Sequence, residues 1–171
     1  MKKTGLIRYP PFINECAIYI GKLRSLYNYD LKENHSIYKR GEMGEFVDII
    51  GVKGELIFSY FLQKNDIDHQ TSRLLSNNPV ISCDIIVGGK NIDVKTLRAD
   101  ATDLLVNKQA HEKNKNIDSY VFIQLIDDKV AKYWIFKHEE VDSWESKKCG
   151  YSDAYFLDIK LADISVEVNK I

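Results

Sequence analysis

Cys83-Asp84-Ile85-Ile86-Val87-Gly88-Gly89-Lys90-Asn91-Ile92-Asp93-Val94-Lys95-Thr96-Leu97-Arg98 is the stretch on which the reading of this 171-residue chain turns. Two apolar runs flank a Gly-Gly pair, the composition of a two-residue hairpin turn with positive φ at both central positions. With Gly88 and Gly89 in the turn, Val87 faces Lys90, Ile86 faces Asn91, Ile85 faces Ile92 and Asp84 faces Asp93. Side chains alternate across a strand, so Asp84, Asp93 and Lys95 share one face while Ile85, Val87, Ile92 and Val94 line the other. Like charges directly opposed on neighbouring strands cost up to about 1 kcal/mol. A divalent cation offsets that cost, because magnesium takes hard oxygen ligands, commonly one or two carboxylates with water and phosphate. Lys95 adds a positive charge beside the pair.

Outward from the hairpin, Ile13, Cys16, Ala17, Ile20, Leu23 and Tyr27 recur at helical spacing and predict a helix over Phe12 to Tyr29, after Pro10-Pro11. The polar segment Tyr29 to Arg40 reads as a loop. Phe46, Ile49, Ile50, Leu56, Ile57, Tyr60 and Phe61 predict a second, long helix from Glu42 to Lys64. Gly51 and Gly54 cost that helix up to about 1 kcal/mol each relative to alanine, which implies close packing or a kink near Glu55. Ile67 to Leu75 reads as a strand and Asn77-Asn78-Pro79 as a turn. Thr102 or Asp103 can cap a helix running to Lys115, and Tyr120 to Ile126 and Val130 to Phe136 are apolar strands joined at Asp127-Asp128-Lys129. His138 to Glu145 reads as a short helix, and Ala154 to Val168 stays open between helix and strand. Alternation of these types predicts an α/β fold, a mixed central β-sheet flanked by α-helices.

Hydrophobic content of 44% with 29% charged residues excludes disordered and fibrous classes. No apolar run approaches the roughly 18 residues of a membrane span, and no secretory leader follows Met1-Lys2-Lys3, so a cytoplasmic protein away from membranes is expected. A net charge of -1 argues against a protein that coats nucleic acid by basic excess alone. Cys16, Cys83 and Cys149 are odd in number and far apart, which suits reduced thiols rather than a disulfide framework or a zinc cluster. His35, His69, His111 and His138 show no ligand spacing and read as surface or satisfied core residues. Tyr120, Phe122, Tyr133, Trp134 and Phe136 read as core aromatics.

Asp84, followed after eight residues by Asp93-Val94-Lys95, resembles the split signature of PD-(D/E)XK nucleases, and Gly51-Val52-Lys53-Gly54-Glu55 is similar to the helix that supplies their additional acid. Cys83 stands where the family often has proline, and Asp93 where glutamate is commoner. The resemblance covers about Gly51 to Ile126. It implies a restriction-endonuclease-like core over residues 41–171, preceded by an N-terminal helical extension, 1–40. It implies that Asp84, Asp93, the Val94 carbonyl and Glu55 hold Mg2+, for which Mn2+ can substitute, and that Lys95 orients the attacking water. Glu45, in a second Gly-x-x-Gly-Glu copy with Asp48 one turn on, is the alternative helix acid. On the helix after the second motif, Lys108, Gln109, His111 and Lys115 are the expected nucleic-acid contacts; Gln109 resembles a glutamine of some branches, although Lys113 replaces the tyrosine that accompanies it. The implied activity is endonucleolytic cleavage of duplex or branched DNA by a homodimer. The alternative is a catalytically inactive member of the fold serving as a nucleic-acid-binding or assembly module.

Overall fold

The computed structural model of the chain describes residues 3–32, 41–71, 83–150 and 152–168. His35, the Asn77-Asn78-Pro79 turn and the later half of the expected strand 67–75 lie outside them. The hairpin forms as its turn chemistry dictates: Gly88 and Gly89 have φ of 55° and 76°, conformations that a residue with a Cβ adopts at a cost. They join β3 (Ile85–Val87) to β4 (Lys90–Leu97), paired Ile85 with Ile92, Ile86 with Asn91 and Val87 with Lys90. Asp84 stands one residue before the ladder. The strand expected from Ile67 begins two residues later, as β2 (His69–Thr71), antiparallel to β3.

On its other side β4 runs parallel to β6 (Ser119–Leu125), which pairs antiparallel with β7 (Val130–Lys137). β1 (Thr4–Arg8) closes that edge against β7, so the larger sheet has six strands in the order β1-β7-β6-β4-β3-β2 and is mixed. The residues read as a helical extension thus contain a sheet strand as well as α1 (Phe12–Lys32), which packs on α2 (Gly41–Lys64).

Two cores occupy the two faces of this sheet. Ile85, Ile92 and Val94 join Val121, Ile123 and Tyr133 against Ile57, Phe58 and Leu62 of α2; full burial of each such side chain is worth roughly 1.5–3 kcal/mol. Gly54 makes the close approach possible, because a Cβ there would collide with the side chain of Thr96 on β4. Tyr120, Phe122, Trp134 and Phe136 form the opposite core, consistent with the packing role read from their alternation.

That second core corrects the expected helix from Asp103 to Lys115. Asp103–Asn107 is a strand, β5, because Leu104 and Val106 are buried while Leu105 between them is exposed, a period of two. It belongs to an antiparallel sheet, β5-β9-β8, with β8 (Glu145–Cys149) and β9 (Ser152–Asp158). Neither Thr102 nor Asp103 caps a helix. Asn107 does, its Oδ1 accepting from the Ala110 N–H at 2.8 Å, and α3 is confined to Lys108–Lys113. α4 (His138–Val141) is shorter than expected, since β8 takes over at Glu145, and the ambiguous tail divides into β9 and α5 (Ile159–Val168). No helix among the described residues is long and apolar enough to cross a membrane.

Candidate active site

Glu55 lies on the middle of α2, 6% exposed. An ionised carboxylate at that depth needs a partner, and α1 supplies it: Arg24 Nη1 and Nη2 donate to Glu55 Oε1 and Oε2, both at 2.7 Å. Burial works against the Arg24 charge, but the Glu55 hydrogen bonds and the charges of Glu55, Asp84 and Asp48 outweigh it and hold the guanidinium above its usual range. Nothing in the sequence around Arg24 marks it as the partner of Glu55, and Asp48, noted one turn after Glu45, is buried and adds its charge at Arg24. Glu45 is half-exposed and faces Lys22 at 4.0 Å, so of the two helix acids it is Glu55 that adjoins Asp84.

Asp84 is tied to β4 twice. Its N–H donates to the Ile92 carbonyl at 2.9 Å, and its Oδ2 accepts from the Val94 N–H at 2.7 Å. The carboxylate thereby takes the place of a main-chain carbonyl at the point where β3 has not yet begun. Burial, then the charges of Glu55 and Asp93, push the Asp84 carboxyl up to about 7, against the opposing pull of the Val94 N–H and Lys95. Asp93 and Lys95 project from the same face of β4, as alternation requires, and Lys95 Nζ lies 2.6 and 2.9 Å from the two Asp93 oxygens. Glu55, Asp84, Asp93 and Lys95 thus form one electrostatic group. Asp93 and Lys95 of this group line a cleft of about 240 Å³, together with Asn107, Ala110, His111, Asn114 and Tyr120, whereas Glu55 and Asp84 do not reach its lining.

The donor set here is oxygen only. Glu55 and Asp93 act on Asp84 through their charge, whereas among the described residues the acid and histidine side chains whose ligand atoms all lie within 4.8 Å of one another are His111, His138 and Asp142.

The expected nucleic-acid contacts separate. Gln109 and Lys115 are exposed, and Lys108 sits 5.5 Å over the ring of Tyr155. His111 is fully buried. Its Nδ1 lies 3.0 Å from the Tyr120 hydroxyl and its Nε2 2.8 Å from Asp142 Oδ1, so it does not face a phosphate. The ring of His138 stacks on it at 3.8 Å between centroids. Burial, then the neighbouring His111, holds the His138 imidazole below its usual range, whereas the hydrogen bond from His111 is the largest influence holding the Asp142 carboxyl below its own. Burial, followed by Asp93 and Asp142, raises the Tyr120 phenol well above its usual value. His138 and Asp142 are four residues apart, a spacing visible in the sequence; the approach of His111 from another element is not. His69, by contrast, is a satisfied residue between Ser59 Oγ at 2.6 Å and the Ile67 carbonyl at 3.0 Å.

No protein-family model matches this chain, and no curated protein matches it. The functional reading therefore rests on the site.

Proposed function

We propose that this chain is a metal-dependent endonuclease hydrolysing phosphodiester bonds of duplex or branched DNA, with a restriction-endonuclease-like core of the PD-(D/E)XK type. The observation that carries the reading is the geometry around Asp84, its Oδ2 held by the Val94 N–H at 2.7 Å beside the Asp93–Lys95 pair, where burial first and then the charges of Glu55 and Asp93 push the carboxyl up. Such a concentration of acids with one lysine, of which Asp93 and Lys95 line a cleft, suits charge stabilisation during phosphoryl chemistry.

In this reading Asp84, Asp93, Glu55 and the Val94 carbonyl hold Mg2+ or Mn2+. When bound, the ion supplies Lewis acidity toward the scissile phosphate. Lys95 orients the attacking water and stabilises the negative charge that develops on the phosphate oxygens, while Asp93 fixes the ammonium. Arg24 holds the Glu55 carboxylate in one orientation, and the Val94 N–H does the same for Asp84. Lys108, Gln109 and Lys115 contact the phosphate backbone, which supplies affinity without sequence information. One such site cuts one strand, so cleavage of both strands calls for a homodimer.

A second reading is favoured by one observation: Arg24 already engages both oxygens of Glu55, and Lys95 both oxygens of Asp93. Carboxylates so neutralised fit an inactive binding or assembly module. Incubation of the purified protein with supercoiled plasmid, branched DNA and RNA, in Mg2+ or Mn2+, separates the two. The nuclease reading expects nicking of DNA that falls at least about 100-fold in Lys95→Ala. Retention of DNA with no cleavage under either metal, or cleavage that Lys95→Ala leaves intact, overturns it.

A further inference from the structure

We propose that His111, His138 and Asp142 form a second metal site, for a zinc-type transition ion, separate from the carboxylate cluster and independent of the nuclease reading. One donor atom from each residue lies within 4.8 Å of the other two. Two imidazoles and one carboxylate are borderline-soft nitrogen with oxygen, the set zinc favours at about 2.0–2.2 Å, whereas magnesium prefers oxygen alone.

The surroundings of the two histidines carry the inference further than proximity does. A metal-bound imidazole offers one nitrogen to the ion and donates the N–H of the other to a fixed acceptor. His111 has Nε2 toward Asp142 and Nδ1 toward the Tyr120 hydroxyl at 3.0 Å. His138 has Nε2 toward the His111 main-chain carbonyl at 3.3 Å; donation there leaves Nδ1 with the lone pair. The His138 ring is thus oriented through Nε2, with Nδ1 available as a ligand. In the metal-free chain His111 Nε2 donates to Asp142, so an ion there replaces that hydrogen bond and the ring proton moves to Nδ1, toward the Tyr120 oxygen. Asp142 is more than half exposed and His138 partly so, which gives an ion a path from solvent and leaves a fourth position to water. The bound ion would join α3 to α4 and its C-cap, and α3 borders the cleft that Asp93 and Lys95 line.

The test is titration of the metal-free full chain with Zn2+ and with Co2+, in excess Mg2+ so that the carboxylate cluster is not the sink. The expected result is one ion per chain, a rise in Tm, and the intense visible bands of four-coordinate Co2+. His138→Ala and Asp142→Ala, both at solvent-reaching positions, abolish the bands while the apo proteins remain folded by circular dichroism; His111→Ala is a poorer probe because it opens a hole in the core. Tyr120→Phe weakens binding about 10–100-fold. Asp84→Asn binds Zn2+ as the parent does, which distinguishes this site from the proposed nuclease centre. Absence of a Tm rise and of the Co2+ bands, or binding that survives in both His138→Ala and Asp142→Ala, as binding at the exposed Cys16 would, overturns the proposal.

Discussion

Arg24 on α1 and Glu55 on α2 meet through two parallel hydrogen bonds of 2.7 Å, with Glu55 almost closed from solvent. Removing one member of such a pair strands the other's charge, which costs more than the pair contributes. Arg24→Met is therefore expected to destabilise the protein by roughly 3 kcal/mol, and Arg24→Met/Glu55→Leu by much less. Urea denaturation of the two variants beside the parent reads this directly. Equal losses would mean that the geometry and packing of α1 on α2, rather than the buried charge, set the cost.

The metal-free protein should lose stability as pH rises through the range over which Asp84 ionises. Its carboxyl is raised from 3.8 to about 7, so the folded state holds the proton more tightly than the unfolded chain. The favourable contribution is complete below about pH 4, falls between there and about pH 7, and is absent above. His138, held low, acts in the opposite direction on the acid side, so the difference between parent and Asp84→Asn isolates the carboxyl. In chelator, the urea midpoint of Asp84→Asn is expected to gain on the parent from pH 5 to pH 8. A constant difference would show that Asp84 titrates normally.

Magnesium should reverse that penalty. If the carboxylate cluster binds Mg2+ with a Kd on the order of 1 mM, about 10 mM metal stabilises the fold by roughly 1.4 kcal/mol. For a chain of this size that is a rise in Tm of roughly 3–6 °C. Asp84→Asn removes one of the repelling charges and one ligand, and should melt higher than the parent in chelator yet respond much less to the ion. Identical shifts in thermal melts of the two proteins would exclude this carboxylate from metal binding.

Gly54 tests the packing that brings Glu55 to the sheet. A methyl group at this position has to displace the Thr96 side chain on β4, and overpacking of this kind costs about 1–3 kcal/mol. Gly54→Ala should lose that much even though alanine is the better helix former by about 1 kcal/mol. Gly54→Ala/Thr96→Ala, which removes the Thr96 hydroxyl and methyl that the new Cβ meets, should recover part of it by thermal melting. A stabilised Gly54→Ala would mean that α2 stands further from β4 than described.

The amino-acid sequence by itself determined the hairpin and its register. Gly88-Gly89 admits few turns, and the alternation of Ile92 and Val94 with Asp93 and Lys95 tolerates no slip without burying the charged pair against the α2 core. The long helices were legible for the same reason: their apolar period is a property of nearest turns. Tertiary structure alone decided what depends on a distant partner. Asp103–Asn107 carries no alternation strong enough to exclude a helix and became a strand because β9 offered it a ladder. Arg24 reached Glu55 across 31 positions only once α1 had packed on α2. His111 met Asp142, also 31 positions away, only after β6 and β7 had carried the chain back beneath α3. Periodicity and turn chemistry are local and survive in the primary structure; pairing between charges on different elements is set by the sheet order, which no short window of sequence contains.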